Sequence, residues 1–184
     1  MTLNVRSIVL ALVLATTALT GLRPAYAAPA PVVDHQAQAA LDALYASSPA
    51  AKALGARAKA VLVFPDIRKA AFIIGAQGGD GVMFRNGKIA GHYSAGGVLA
   101  GLEAGAQSFA YAMFFMSDAA LSNLHAAKGF EIGVDPNIVV VDAGAAKELS
   151  TTTGQADVYS YVFDQKGLMG GIALQGLKIT RTDR

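Results

Sequence analysis

The residues best suited to chemistry lie close together in Gly91-His92-Tyr93-Ser94-Ala95-Gly96, which sets a histidine and a serine between glycines. A nucleophile elbow needs Gly-x-Ser-x-Gly, because the first glycine relieves a strained turn two residues before the serine. His92 occupies that position, so the motif fails and His92 reads as a strand residue. Gly75, Gly78, Gly79 and Gly81 precede Lys88, as in a phosphate loop, but five residues separate Gly81 from Gly87 and Ile89 follows the lysine. A Walker loop has four residues there and then Ser or Thr. A glycine-rich turn is the better reading, with a backbone nest for a lipid phosphate as the weaker one. The histidines, His35, His92 and His125, have no partner at i+4, which excludes His-x-x-x-His metal binding. His125 fits a cap or dipole partner at a helix end. Asp66, Asp80, Asp118 and Asp142 fall at turn-like or capping positions. No acid–base pair stands out, so the chain is read as non-enzymatic, with no cofactor and no metal.

Charge is the remaining chemical signal. Lys52, Arg57, Lys59, Arg68, Lys69, Arg85 and Lys88 meet only Asp66 and Asp80 between residues 52 and 88, a local net of +5. Residues 89–184 carry six basic and nine acidic side chains. The bland reading is a scatter of solvated residues; the sharper one is a basic face on one half of the molecule. Overall, 15 basic residues stand against 13 acidic ones, and Arg6 and Arg23 account for the excess. A balanced remainder predicts no nucleic-acid partner.

Arg6 and Arg23 belong to a segment read as a leader. Residues 1–27 have a cation near the start, an apolar run from Ile8 to Leu14 that fades towards Leu19, and Ala25-Tyr26-Ala27 at the end. That is the pattern of a secretory signal peptide, and it predicts an exported protein, periplasmic or secreted. The chain has no cysteine, so packing alone must hold the fold and thiol chemistry is excluded. Residues 28–33 read as a flexible leader, and residues 34–184 as one domain large enough for a real core.

Elements must position these charges. From Asp34, a plausible N-cap, Ala37, Ala40, Leu41, Leu44 and Tyr45 form one helical stripe. Ser48-Pro49 interrupts, and a second short helix follows despite Gly55. From Ala60 the pattern turns to strands. One short run is closed by Pro65, another spans residues 70–77, and Asn86-Gly87 predicts a hairpin with a type I′ turn. Ser117-Asp118 predicts the cap of a helix running to about Ala127, ended by Gly129. Strand follows, with a turn at Asp135-Pro136, then a polar irregular stretch, then a last hairpin after Ala156.

Residues 96–116 hold one charge, Glu103, and a repeated Gly-x-x-x-Gly. As a membrane span they would bury Glu103 at about +3 kcal/mol, against roughly −2 to −3.5 kcal/mol from the six strongest apolar residues. Periodicity decides between the two. Val98, Ala100, Leu102, Ala104 and Ala106 alternate with small or polar residues, Leu99 excepted, and Phe109, Tyr111, Met113 and Phe115 alternate with Ser108, Ala110 and Ala112. Period two means strand, not spanning helix.

The ordered string AKAVLVFPDIRKAAFIIGAQGGDGVM, GHYSAGGVLAGLEAGAQSFAYAMFFMSDAALSNL, DVYSYVFDQKGLMGGIALQGLKI resembles the lipid-binding SYLF-domain family over roughly Ala58 to Thr180. Its most telling parts are Val63-Phe64-Pro65, Gly78 to Gly81, Gly105-Ala106-Gln107, and Lys166-Gly167-Leu168 leading to Leu174-Gln175-Gly176. The chain departs from that pattern in having tyrosine, not tryptophan, before Ser94 and in stopping at Arg184. The resemblance implies lipid binding. Eukaryotic members bind phosphoinositides with help from a basic amphipathic N-terminal segment, whereas the helix predicted here from Asp34 has no cation before Lys52. The nearest counterpart is Lys52, Arg57 and Lys59. An exported bacterial-type protein is expected to meet anionic phospholipid or a membrane surface instead, through the basic residues from Lys52 to Lys88. The rival expectation is an envelope module that binds a protein partner. The expected fold is α+β: two N-terminal helices, one further helix, and a strongly curved, mostly antiparallel sheet of barrel-like form.

Overall fold

The computed structural model describes residues 29–126, 130–132, 138–142, 156–175 and 177–183. The expected signal peptide, the Asp135-Pro136 turn, the Gly129 helix stop and the polar stretch before Ala156 lie outside them. Three helices and six strands are described: α1 (Ala30–Ser47), α2 (Pro49–Arg57), β1 (Ala60–Arg85), β2 (Lys88–Phe115), α3 (Asp118–Ala126), β3 (Phe130–Ile132), β4 (Ile138–Asp142), β5 (Val158–Gln175) and β6 (Leu177–Thr182).

Helix α1 begins at Ala30, four residues before the expected Asp34 cap. A proline in its first turn explains the early start: proline has the helical φ already set, and an N–H there would have no partner. Val33, expected in a flexible leader, is buried. Ser48 caps α2, its Oγ accepting from the Ala51 N–H at 3.2 Å. Ser117 caps α3 in the same way, accepting from the Ala120 N–H at 3.1 Å.

The β1 and β2 strands form one long antiparallel ribbon joined at Asn86-Gly87. Asn86 and Gly87 both have positive φ, 52° and 71°, as a type I′ turn requires. The short runs read separately from the sequence are parts of β1, so Pro65 does not end a strand. It sits at a bulge between Phe64 and Ile67, on a strand whose only pairing among the described residues is with β2. Proline is tolerated there because the missing N–H disturbs no second ladder. The bulge also lets Phe64 and Ile67, three residues apart, join the same core cluster.

The ribbon folds over on itself. Its register slips between Phe72 and Ile74, and Ile73 between them has a φ of 66°. Beyond that point β1 returns past its own first half: a Cβ on Gly79 would lie 2.5 Å from the Asp66 carbonyl oxygen. The glycines from Gly75 to Gly81 are therefore strand residues, not the turn that their sequence suggests: Gly79 is at a close backbone approach, and a Cβ on Gly81 would meet the Phe64 ring at 2.5 Å.

The second edge of β2 pairs first with β5 and then with β6, both antiparallel. Leu99 faces Gln175, and Gly96 faces Lys178. The predicted last hairpin is thus one line of chain following β2 through the fold of the ribbon, which is possible because β2 is 28 residues long. β3 pairs with β6, and β4 pairs with β5 in the only parallel ladder among the described residues. The protein is α+β with a mostly antiparallel sheet. Its strand order is open, and among the described residues no ladder closes it into a barrel.

Two apolar clusters form on the two sides of the sheet. Val33, Leu41, Leu44 and Leu54 from α1 and α2 pack on Val61, Val63, Phe114 and Tyr161. Leu121 and Leu124 of α3 pack with Leu62, Phe64, Met113 and Ile179 on the other. Alternation along β2 divides Phe114 from Met113 and Phe115, as period two demands.

Candidate functional site

The structure separates the seven basic residues expected to act together. Lys52 and Arg57 are exposed on α2, with Arg57 in its last turn, where a cation complements the helix dipole. Lys59 precedes β1, held by its N–H donating to the Phe115 carbonyl at 2.8 Å. Arg85 and Lys88 face each other across the hairpin turn. A cleft of about 460 Å³ joins these elements, lined by Lys52, Lys59, Tyr45, Phe84, Asn86 and Gly87 among others. Asp118, at the start of α3, lies between two of the cations: its carboxylate is 3.8 Å from Lys59 Nζ and 3.7 Å from Arg85 Nη2. Five of the seven thus share the end of the fold where the ribbon starts and turns.

Arg68 and Lys69 stand elsewhere, partway along β1 towards the fold of the ribbon. The Arg68 side chain is 83% exposed, and its Nε donates to Asp66 Oδ2 at 2.8 Å. Lys69 is only 6% exposed and cannot belong to an open basic face. Strand alternation gives the reason: Lys69 shares the inward side with Ile67, while Arg68 and Ala70 point out.

The histidines take structural positions. His92 is a β2 residue, as expected, and its Nε2 lies 2.7 Å from Asp34 Oδ1, tying α1 to the sheet. His125 Nε2 lies 3.0 Å from the Tyr93 hydroxyl, which also donates to Met83 Sδ at 3.7 Å. Burial pushes the Tyr93 phenol up, and nearby Arg181 partly offsets this. His35 lines a second cleft, of about 550 Å³, with Asp66, Ser108, Asp164 and Lys166. Among the described residues, no three His, Asp or Glu side chains are grouped as a metal site would need.

Sequence reasoning missed the opposite end of the molecule. Phe72, Ile73, Ile74, Val98, Leu102 and Leu168 are large, apolar and exposed, and all lie around the fold of the ribbon. Their alternation with alanine and glycine identified strands but not which part of a strand would be left uncovered. Among the described residues, no helix is long and apolar enough to cross a membrane.

These features define a class: an α+β protein built on a folded antiparallel ribbon, cationic at one end and apolar at the other. The family model Ysc84, with the description Las17-binding protein actin regulator, matches residues 96–184, from the middle of β2 onwards. Over that stretch, a little under half of its length, the chain is similar to this family, the SYLF-domain family. No curated protein matches it.

Proposed function

We propose that this chain is a non-enzymatic lipid-binding protein of the cell envelope, exported to the periplasm or beyond, which associates peripherally with anionic phospholipid. The observation that carries this reading is that Lys52 and Lys59 line one cleft, with Arg57, Arg85 and Lys88 next in sequence to other residues of its lining. Lys52, Arg57 and Lys88 form no ion pair with the described residues, so their charge is available to a surface. Each cation near an anionic membrane contributes about 1 kcal/mol, screened over about a Debye length. Together they support weak, salt-sensitive binding, roughly micromolar to millimolar.

Co-sedimentation with vesicles containing phosphatidylglycerol tests the reading. The combined variant Lys52→Glu, Arg57→Glu and Lys88→Glu is expected to bind at least about tenfold more weakly at low salt. Unchanged binding of that variant would remove the basic end from the account.

A second reading is a protein-interaction module of the envelope. It draws on the family's description, which names a protein partner and not a lipid. One stoichiometric protein partner recovered without retained lipid would favour it.

A further inference from the structure

The apolar end has no counterpart in the proposal above. Phe72 is 79% exposed, Leu102 81% and Leu168 89%, with Ile73, Ile74 and Val98 also open. The register brings them to one place. Phe72 pairs with Ala104 and Ile74 with Ala100; Ala76 pairs with Val98, Leu102 with Ile172 and Ala106 with Leu168.

Successive residues of a strand point to opposite faces of the sheet. Phe72, Ile73 and Ile74 are consecutive and all exposed. The register slips at Ile73, however, so Phe72 and Ile74 share one face of the sheet with Val98, Leu102 and Leu168, while Leu99 on the other face is fully buried; the uncovered apolar surface is one face of the sheet. The apex also carries strain: Ile73 is β-branched with a φ of 66°, a conformation such residues rarely adopt.

The occupant follows from area and shape. At about 100 Å² for each large side chain, the six expose roughly 600 Å², at the upper end for an apolar patch on a monomer. A second copy or another protein laid on that face would cover at most about 600 Å², short of the about 800 Å² per partner in a stable interface. A bilayer interface needs no complementary partner surface of that size. Polar anchors stand at a suitable depth. Arg68 and Lys166, exposed and each paired with a neighbouring aspartate, lie about four residues behind the apex, or about 13 Å along a strand. That spacing matches cations at the headgroup level with apolar residues reaching the acyl boundary.

We infer that the folded tip of the β1–β2 ribbon, with Phe72, Ile73, Ile74, Val98, Leu102 and Leu168, is a second lipid-contact surface that inserts into the interface of a bilayer. This rests on the reading of the protein as lipid-binding, but it does not depend on the basic end. Apolar insertion needs no anionic lipid and survives salt.

The chain has no tryptophan, so Phe72→Trp places a single probe at the tip. Ile89→Trp places a control beside the hairpin turn, at the basic end. Both proteins are mixed with phosphatidylcholine vesicles carrying brominated acyl chains, in 0.5 M salt. The expected result is a blue shift and quenching for Phe72→Trp alone, with at least tenfold weaker partitioning when Leu102→Asp and Leu168→Asp are added. Circular dichroism of that variant checks that it is folded. Unshifted, unquenched Phe72→Trp emission overturns the inference, even where anionic vesicles are still bound through the basic end. A lipid-independent dimer abolished by the aspartates also overturns it, by making a second copy the occupant. If no vesicle of any composition is bound at any salt concentration, both this inference and the lipid-binding reading fail.

Discussion

At the scale of single residues, the most informative groups are polar ones that the fold has buried. The hydroxyls of Tyr111 and Ser160 complete no hydrogen bond of normal geometry among the described residues. Burial pushes the Tyr111 phenol up to about 12, with Ser160 offsetting only part of the effect. Below pH 10 the phenol is protonated in folded and unfolded chains alike and adds no pH dependence. Above that, the unfolded chain ionises first, so stability falls as pH rises from about 10 to about 12. Thermal melts across this range should show that fall, reduced in Tyr111→Phe. At neutral pH the same variant should be neutral to about 1 kcal/mol more stable, because an unpaired buried hydroxyl is removed. A clear loss of stability would mean that the hydroxyl is bonded. Neither this burial nor that of Lys69 was legible in the sequence. Alternation shows which residues share a face, but only the tertiary fold decides which faces are covered.

At the scale of elements, local chemistry was legible and long-range geometry was not. Asn86-Gly87 defined the hairpin turn because few other pairs accept two positive φ angles. Ser117 marked a helix start, and period two identified β2 despite its low charge. Pro65 and the glycines from Gly75 to Gly81 suggested interruptions, yet they lie inside β1. Their reasons are a bulge and a close approach, both set by residues distant in sequence. Gly79 tests this directly: a Cβ there meets the Asp66 carbonyl oxygen at 2.5 Å. Gly79→Ala should destabilise by about 1–3 kcal/mol, as overpacking does. Denaturant unfolding measures the loss, and an unchanged midpoint would argue against the folded ribbon. Likewise, β5 and β6 read as a hairpin because a glycine separates two strand-like runs. The long free edge of β2 instead holds them in line.

At the scale of the whole molecule, the fold sets two unlike surfaces far apart. Each half of the ribbon spans about 12 residues, or about 40 Å, so a tip near Ile73 inserted end-on holds the cations near Asn86 about 40 Å from that membrane. Two bilayers can be met in turn. Turbidity of anionic vesicles should therefore rise on adding the protein, and both the triple charge reversal and the paired tip aspartates should suppress it. The expectation of a single basic face was too simple, because counting charge along the sequence could not separate Arg68 and Lys69 from the other five. The central claim remains contact with anionic lipid through the basic end. Its most direct test is co-sedimentation of the protein with phosphatidylglycerol-containing vesicles over a salt series. Bound protein should rise with the anionic fraction, fall as salt is added, and drop at low salt when Lys52, Arg57 and Lys88 are reversed. Binding indifferent to lipid charge, salt and those three residues would contradict the account.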